Sequence, residues 1–207
     1  MKISDVTGVL LAGGKSRRMG EDKRFLLLGA ETLLERSLAM LRATFESIVV
    51  VIAQDSAPME LDVPVIRDLV PAAGSLGGLF TGLTWSDRQR IFAVACDMPF
   101  LSATTIRAVV AADPEADVVM TRLDQGLQPM HAVYGKRALP VMQDMLRRGE
   151  LKIQQVVSDP SLRTHLLTAE DLRAIDPSGR SFLNVNTPSD LAAARQLLAA
   201  EPGSASR

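Results

Sequence analysis

The sequence has little of what several large classes of protein need. Its 207 residues include one cysteine, Cys96, so no disulfide can form within the chain, and a reducing, cytoplasmic location is expected. No apolar run approaches the ~18 residues of a membrane-spanning helix. The aromatic content of 4% and the net charge of −1 argue against a base-stacking or broadly cationic surface. We therefore expect no membrane or nucleic-acid partner, and any cationic site must be local.

What the sequence does contain is a regular alternation of strand-like and helix-like segments. Short apolar and β-branched runs predict strands at residues 6–12, 47–53, 63–68, 90–97, 117–122 and 130–135. Apolar residues at helical spacing predict helices at 31–45, 137–149 and 186–200, and a further helix capped by Ser102. This alternation is typical of an α/β protein with a mostly parallel sheet covered by helices on both faces. One domain is expected over residues 1–200, and the short polar tail at 201–207 should be disordered.

The first candidate site is the sequence AGGKSRRMGEDK, residues 12–23, which follows the first predicted strand. In parallel sheets the ligand site lies outside the carboxyl ends of the strands. Glycines let the backbone approach a ligand closely, and Arg17, Arg18 and Lys23 could bind phosphates. The alternative is a tight turn between strand and helix with solvated basic residues. The spacing matches neither the P-loop nor the Rossmann glycine pattern.

The second candidate is the sequence CDMP, which places Asp97 at the tip of a core strand. Pro99 biases the residue before it toward an extended conformation. A carboxylate in this position could hold Mg²⁺, which takes one or two protein carboxylates and its other ligands from phosphates and water. The alternative is an aspartate that caps a helix or a turn. The thiol of Cys96 has no activating base beside it in sequence and is expected to be a small buried residue.

Three further features are ambiguous on their own. The stretch AAGSLGGL, residues 72–79, is either a flexible surface turn or a glycine loop that faces a nucleotide. Asn184 and Asn186 share one face if their segment is a strand, and they could bind a ligand, complete a metal shell or turn the chain. His131 lies in a predicted strand and is either structural or a substrate contact.

Four motifs together resemble the molybdenum cofactor guanylyltransferases. They read LLAGGKSRRMGEDK, CDMP, QPMHAVY and FLNVNTPSDL, and they occur in that order from Leu10 to Leu191. The resemblance implies a Rossmann-like three-layer α/β sandwich of the nucleotidyltransferase type. It implies GTP and molybdenum-bound molybdopterin as substrates, molybdopterin guanine dinucleotide and pyrophosphate as products, and Mg²⁺ as cofactor. Molybdoenzymes or their chaperones are further candidate partners.

The same resemblance implies roles for particular residues. Arg18, Lys23 and Asp97 would be catalytic, and Asp97 would also bind the metal. Asn184, Asn186 and His131 would contact the molybdopterin substrate. The residues implied to bind the nucleotide are Leu11, Ala12, Gly13, Gly14, Lys23, Asp68, Gly74, Gly78 and Asp97.

The chain departs from its relatives at two positions, and rival functions remain. Ile52 stands where some relatives have asparagine, and Ser75 stands where the second glycine loop often has proline. Relatives that use CTP commonly read LAAG where this chain reads LAGG, so Gly13 favours GTP. The alternatives are a cytidylyltransferase that acts on the same cofactor and a noncatalytic carrier of the finished cofactor.

Overall fold

The computed structural model describes residues 1–13 and 22–200, so the tail expected at 201–207 lies outside the described residues. The strands are β1 (Ile3–Leu11), β2 (Leu27–Leu28), β3 (Glu31–Thr32), β4 (Phe45–Ile52), β5 (Val65–Arg67), β6 (Arg90–Ala95), β7 (Val118–Leu123), β8 (Gly126–Gly135) and β9 (Thr164–Thr168). The α-helices are α1 (Leu33–Thr44), α2 (Gly74–Trp85), α3 (Ala103–Ala111), α4 (Leu139–Arg148), α5 (Ala169–Leu172) and α6 (Pro188–Ala199). None of the helices in the described ranges is long and apolar enough to cross a membrane.

Seven of the strands form one sheet in the order β5-β4-β1-β6-β8-β7-β9, and β2 pairs with β3 in a separate ribbon. β8 runs antiparallel to β6 and β7, whereas the other neighbours in the sheet are parallel. This confirms the predicted mostly parallel sheet. The chain leaves β1 toward β4 and later returns to the other side of β1 as β6. Such a reversal of strand order creates a crevice at the carboxyl ends of the strands.

Helices cover both faces of the sheet because the side chains of its central strands are apolar on both sides. In β1, Leu10 packs in the core formed with α1 and α3, whereas Val9 and Leu11 pack in the core formed with α2 and α4. Successive side chains of a strand point to opposite faces, so a continuous apolar run feeds both cores at once. The three-layer α/β sandwich is thereby confirmed.

Side-chain capping hydrogen bonds are present at the starts of α1 and α6 and are lacking at the start of α3. The side chains of Thr32 and Thr187 each accept a hydrogen bond from the backbone three residues later, and Glu35 and Asp190 complete the two capping boxes. Ser102 does precede α3, but its side chain makes no capping hydrogen bond. The prediction was therefore right about the position of this helix start and wrong about the Ser102 cap.

The glycine-rich stretch at 72–79 is not a loop, because α2 begins at Gly74 and continues through the other glycines. A Cβ atom on Gly82 would lie 2.6 Å from Cγ1 of Val9 in β1. A Cβ atom on Gly77 would lie 2.9 Å from the carboxylate of Asp68. These glycines are needed for close approach of the helix to the sheet, and the sequence pattern alone did not separate that need from a flexible turn.

His131 lies in an irregular part of β8, where the register with β7 shifts. Its φ angle is 99°, in a region that residues other than glycine rarely adopt. The imidazole is fully buried and packs against the rings of Phe92 and Phe182, with centroid distances of 4.9 and 4.6 Å. Full burial favours a structural role for the ring, and contact of His131 with the second substrate stays a prediction.

Candidate functional site

Four strands end at one crevice. Three of them are followed there by a candidate residue from the sequence analysis, and the fourth is followed by the neighbour of Ile52. Gly13 follows β1, Ala53 follows β4, Asp68 follows β5, and Asp97 follows β6. These strands are neighbours in the order β5-β4-β1-β6, and all four are parallel. The rule that ligands bind at the carboxyl ends of parallel strands therefore identifies this crevice as the candidate site.

One side of the crevice is a small cavity of about 150 Å³, which we call the charged cavity. It is lined by Leu11, Ala12, Gly13, Asp22, Lys23, Arg24, Ser75, Ala95, Cys96 and Asp97. The Lys23 ammonium lies 3.4 Å from Oδ2 of Asp97 and donates a 2.7 Å hydrogen bond to Oδ1 of Asn186. Lys23 and Asp97 are 74 residues apart in sequence, so the fold joins the first and second candidate motifs.

The Asp97 carboxylate could hold a metal ion. Its Oδ1 atom is buried and makes no hydrogen bond within the described residues. Burial raises the pKa of the Asp97 carboxyl above its usual value, and the nearby Lys23 ammonium partly opposes that effect. A cation would satisfy the orphan oxygen and favour the charged form. In residues 1–13 and 22–200 no three His, Cys, Asp or Glu side chains form a metal cluster, so further ligands would have to be phosphates and water.

The other charges in this cavity largely neutralise each other. Nε of Arg24 donates to both carboxylate oxygens of Asp22, at 3.0 and 2.9 Å. Hydrogen bonds from Arg24 hold the pKa of Asp22 below its usual value. Burial, together with the Asp97 carboxylate, raises the pKa of the Cys96 thiol to about 12, which excludes a thiolate nucleophile at neutral pH. Lys23 and Asp97 are therefore the groups best suited to act on a ligand.

The other side of the crevice is larger and less charged, and we call it the wide cavity. Its volume is about 610 Å³. It is lined by Leu11, Gly13, Val51, Ile52, Ala53, Gln54, Asp55, Asp68, Pro71, Ala72, Gly74, Ser75 and Gly78. Oδ1 of Asp68 accepts hydrogen bonds from the Thr81 hydroxyl at 3.0 Å and from the Val70 amide at 2.9 Å. These bonds fix the Asp68 side chain at the wall of the cavity.

Of the described residues, three line both cavities: Leu11, Gly13 and Ser75. The lack of a side chain on Gly13 has a packing reason at this junction. A Cβ atom on Gly13 would lie 2.9 Å from the backbone nitrogen of Ala53. The missing side chain thus makes room for the backbone that follows β4, and a role of Gly13 in the choice of GTP stays a prediction.

A segment near the carboxyl end of the chain borders the charged cavity. The Val185 amide donates a 2.8 Å hydrogen bond to the backbone oxygen of Asp97, and Asn186 contacts Lys23 as described above. Asn184 is exposed, and its side chain donates to the backbone oxygen of Phe182 at 3.2 Å. The segment is not a strand, so the condition for Asn184 and Asn186 to share one face is not met.

Most of the nucleotide residues implied by the resemblance lie around the two cavities. They are Leu11, Ala12, Gly13, Lys23, Asp68, Gly74, Gly78 and Asp97. Gly14 and Arg18 lie outside the described residues. Contact with a nucleotide stays a prediction for all of these residues.

Sequence reasoning missed the polar residues of the wide cavity. Gln54 and Asp55 both line it and follow directly after β4. Ile52, the residue that replaces an asparagine of some relatives, also lines this cavity. Gln54 and Asp55 bring polar groups to the wall where Ile52 has none. The rule that ligands bind at the carboxyl ends of parallel strands points to both residues, because β4 is one of these strands.

Comparison with solved structures bears first on the fold. The chain resembles the solved structure of molybdopterin-guanine dinucleotide biosynthesis protein A from Archaeoglobus fulgidus with a TM-score of 0.81, over 95% of this chain and 100% of that one. Their sequence identity is 23%, so this likeness supports the fold.

Sequence comparison places the chain more narrowly. The family of the MobA-like NTP transferase domain matches residues 8–165. A probable molybdenum cofactor guanylyltransferase from Pelotomaculum thermopropionicum is 35% identical, with 91% of each chain covered. A molybdenum cofactor guanylyltransferase from Desulfosudis oleivorans is 33% identical over 90% of this chain and 92% of that one. The protein is thus a nucleotidyltransferase, and it belongs to the MobA-like NTP transferase family.

Proposed function

We propose that the protein transfers GMP from GTP to the terminal phosphate of molybdenum-bound molybdopterin, which forms molybdopterin guanine dinucleotide and releases pyrophosphate. The observation that carries this proposal is the Lys23–Asp97 pair with its orphan carboxylate oxygen beside the wide cavity. A nucleoside triphosphate needs both features, because its base requires space and its phosphates require cations. The activity named for the relatives with 35% and 33% identity supplies the acceptor and the base.

The two cavities suggest how the nucleotide lies in the crevice. The base and ribose would occupy the wide cavity, where Gln54, Asp55 and Asp68 line the wall. The phosphates would pass Ser75 at the junction and reach Lys23 in the charged cavity. A wide cavity of about 610 Å³ leaves room for the purine and ribose of GTP.

Asp97 fits a Mg²⁺ ion because it offers a buried oxygen that has no other partner. When bound there with the phosphates, Mg²⁺ would neutralise charge on the triphosphate. Lys23 would hold phosphate oxygens by charge-assisted hydrogen bonds and stabilise the negative charge of the leaving pyrophosphate.

No protein base is required in this reaction. The terminal phosphate of molybdopterin is an anion at neutral pH and can attack the α-phosphorus of GTP in line, while the bond to pyrophosphate breaks. The work of the protein is to place the two anions and to stabilise charge, which are the effects that dominate phosphoryl transfer. The protonated thiol of half-buried Cys96 and the buried ring of His131 are consistent with a mechanism that uses neither.

The test is pyrophosphate release by the purified protein with molybdenum-bound molybdopterin, Mg²⁺ and either GTP or CTP. The proposal expects release with GTP at a much higher kcat/KM than with CTP. Preference for CTP would identify a cytidylyltransferase, and absence of release with both nucleotides would favour a carrier of the finished cofactor.

A pair of lysine variants tests the assigned phosphate contact. Lys23→Ala should weaken GTP binding and slow pyrophosphate release, because a phosphate loses its charged partner. Lys152→Ala removes an exposed lysine that lines neither cavity and should change neither quantity. A Lys23→Ala protein that loses affinity only for molybdopterin would move Lys23 to the acceptor half of the site.

A further inference from the structure

The Lys23 ammonium lies between two oxygen acceptors and is closer to the uncharged one. It is 2.7 Å from Oδ1 of Asn186 and 3.4 Å from Oδ2 of Asp97. We propose that Asn186 is a positioning residue that holds Lys23 back from Asp97, so that the carboxylate stays available to a divalent cation. This inference rests on the proposed function, in which Asp97 binds Mg²⁺ and Lys23 binds phosphate.

The position of Asn186 is itself fixed by the surrounding structure. Its backbone amide donates a 2.8 Å hydrogen bond to Oδ2 of Asp190, which also accepts from the Thr187 amide at 2.9 Å. One residue earlier, the Val185 amide is bonded to the backbone oxygen of Asp97 at 2.8 Å. The backbone of Asn186 is therefore held at a fixed place beside Asp97, from which its side chain reaches the Lys23 ammonium.

Burial fixes the same segment from its other side. Val185 is 2% exposed and packs in a small core whose other buried members are Leu28, Leu33, Leu191 and Ala194. That core joins the segment to the β2-β3 region and to α6. Asn186 thus has the rigid support that a positioning residue requires.

Competition for the Asp97 carboxylate explains why such positioning would matter. A lysine carries its charge on a flexible four-carbon stem, so nearby acceptors decide where the ammonium lies. Opposite charges attract strongly in a mostly buried site, and a closer Lys23–Asp97 pair would compete with a metal ion for the carboxylate. The amide oxygen of Asn186 offers the ammonium a partner that a metal ion does not displace.

This role differs from the implied contact between Asn186 and molybdopterin, and the two can be separated without that substrate. A molybdopterin contact would have no effect on metal binding to the protein alone. A positioning role acts through Lys23 and must appear in the absence of any second substrate. It must also vanish when Lys23 is removed.

The experiment is a double-mutant cycle read out by direct Mn²⁺ binding, measured by electron paramagnetic resonance without nucleotide. Asn186→Ala should weaken Mn²⁺ binding roughly tenfold, as expected when a hydrogen bond to a charged group is lost. Lys23→Ala should strengthen it, because the competing charge is gone. The Lys23→Ala/Asn186→Ala protein should match Lys23→Ala, since contacting residues that act through one another are not additive.

Controls separate failure of this inference from failure of the proposed function. Gln196→Ala removes an exposed amide from α6 and should leave Mn²⁺ binding unchanged. Equal thermal unfolding temperatures for Asn186→Ala and wild type exclude a folding defect. If wild type binds Mn²⁺ and GTP, an Asn186→Ala protein that binds Mn²⁺ normally, or an additive double mutant, overturns the inference alone. A wild-type protein that binds GTP but no Mn²⁺ in the absence of nucleotide overturns the inference, and one that binds neither ligand counts against the proposed function.

Discussion

The two cavities of the crevice are adjacent, yet they are built in different ways. The charged cavity joins side chains from distant parts of the chain, such as Lys23 and Asp97, through specific polar contacts. The wide cavity is formed mainly by the ends of β4 and β5 and the start of α2, and its walls are mostly apolar. One cavity is therefore suited to stabilise charge and the other to enclose a base.

This difference means that affinity and chemistry should be separable by mutation. A substitution in the charged cavity should reduce turnover more than it reduces binding of the base. A substitution in the wide cavity should reduce nucleotide binding first. Residues at the junction should affect both, and their effects should be smaller.

The largest expected effect is that of Asp97→Asn. The variant keeps the shape of the side chain but loses the charge that would hold Mg²⁺, so the transition state should lose several kcal/mol, or on the order of a thousandfold in kcat. Guanosine binding in the wide cavity should be unchanged. Turnover and guanosine binding by calorimetry provide the two measurements. Asp5→Asn, at the exposed start of β1, is the matched control, and near-normal turnover of folded Asp97→Asn would refute the metal assignment.

The second prediction concerns acid pH and the packing that supports the charged cavity. Phe182 packs on His131 and comes shortly before Asn186 in the sequence. Burial lowers the pKa of His131 from 6.5 to about 4, with a smaller opposing effect from Asp176, and neither ring nitrogen has a partner among the described residues. Unfolding raises this pKa, so the unfolded state binds more protons between these values. The neutral His131 ring therefore contributes fully to the free energy of unfolding above pH 6.5. This contribution is lost as the pH falls toward 4, to a total of about 3 kcal/mol.

His131→Phe keeps a ring against Phe92 and Phe182 but cannot titrate. Its free energy of unfolding should therefore depend less on pH between 6.5 and 4 than that of wild type, as measured by urea denaturation across this range. His165→Gln, which changes a partly exposed imidazole near Asp113, controls for loss of a histidine in general. An unchanged pH dependence in His131→Phe would show that His131 is not the group that titrates.

The sequence predicted the fold well because its signals are local. The apolar run at 6–12 and the helical spacing of apolar residues at 186–200 each involve only neighbouring residues, and both predicted elements are present as β1 and α6. The stretch at 72–79 failed because glycine has two opposite uses. Its tolerance of unusual φ angles indicates a turn, whereas its missing side chain allows a helix to pack closely, and only the neighbouring strand decides between them.

The site was predicted in part for a related reason. The sequence motifs identified Lys23 and Asp97 as charged candidates after predicted strands, and the fold brings the two side chains into contact. No sequence rule could show that the Asn186 oxygen lies 2.7 Å from the Lys23 ammonium, since 163 residues separate them. The burial of His131 also depends on rings from other elements, so its role could not be read from its own strand.

A third prediction concerns Gly13, at the junction of the cavities. The new methyl group of Gly13→Ala would collide with the backbone of Ala53, which cannot move as a side chain can. The variant should lose about 1–3 kcal/mol of stability, as in other overpacked sites, and should lose GTP and CTP affinity alike. Gly78→Ala is the comparison, because its methyl group would meet side chains and not backbone: Leu11 at 3.3 Å and Val51 at 3.9 Å. Urea denaturation and nucleotide titration measure both effects. A Gly13→Ala protein of normal stability that rejects only GTP would restore a role in base selection.

The smallest effect is expected at Ser75, which tests whether the two cavities hold one ligand. Among residues 1–13 and 22–200, Ser75 is the only polar side chain shared by both cavities. It lies in the first turn of α2, where none of these residues caps the backbone amides with a side chain. Ser75→Ala removes one hydroxyl, so GTP binding should weaken by about 1 kcal/mol, or roughly fivefold. Ser75→Pro also removes the backbone N–H of residue 75, a loss that a helix tolerates in its first turn. This variant should weaken GTP binding further.

Comparison of ligands then locates the Ser75 contact. Guanosine needs only the wide cavity, whereas GTP should span both, so a phosphate contact predicts that Ser75→Ala weakens GTP binding and leaves guanosine binding unchanged. Equal losses for both ligands would place the contact at the ribose. Ser102→Ala is the matched control, because Ser102 also stands at a helix start without a capping hydrogen bond and lines neither cavity. If calorimetry gives wild-type GTP affinity for both Ser75 variants, the ligand does not pass this junction, and the two cavities serve different molecules.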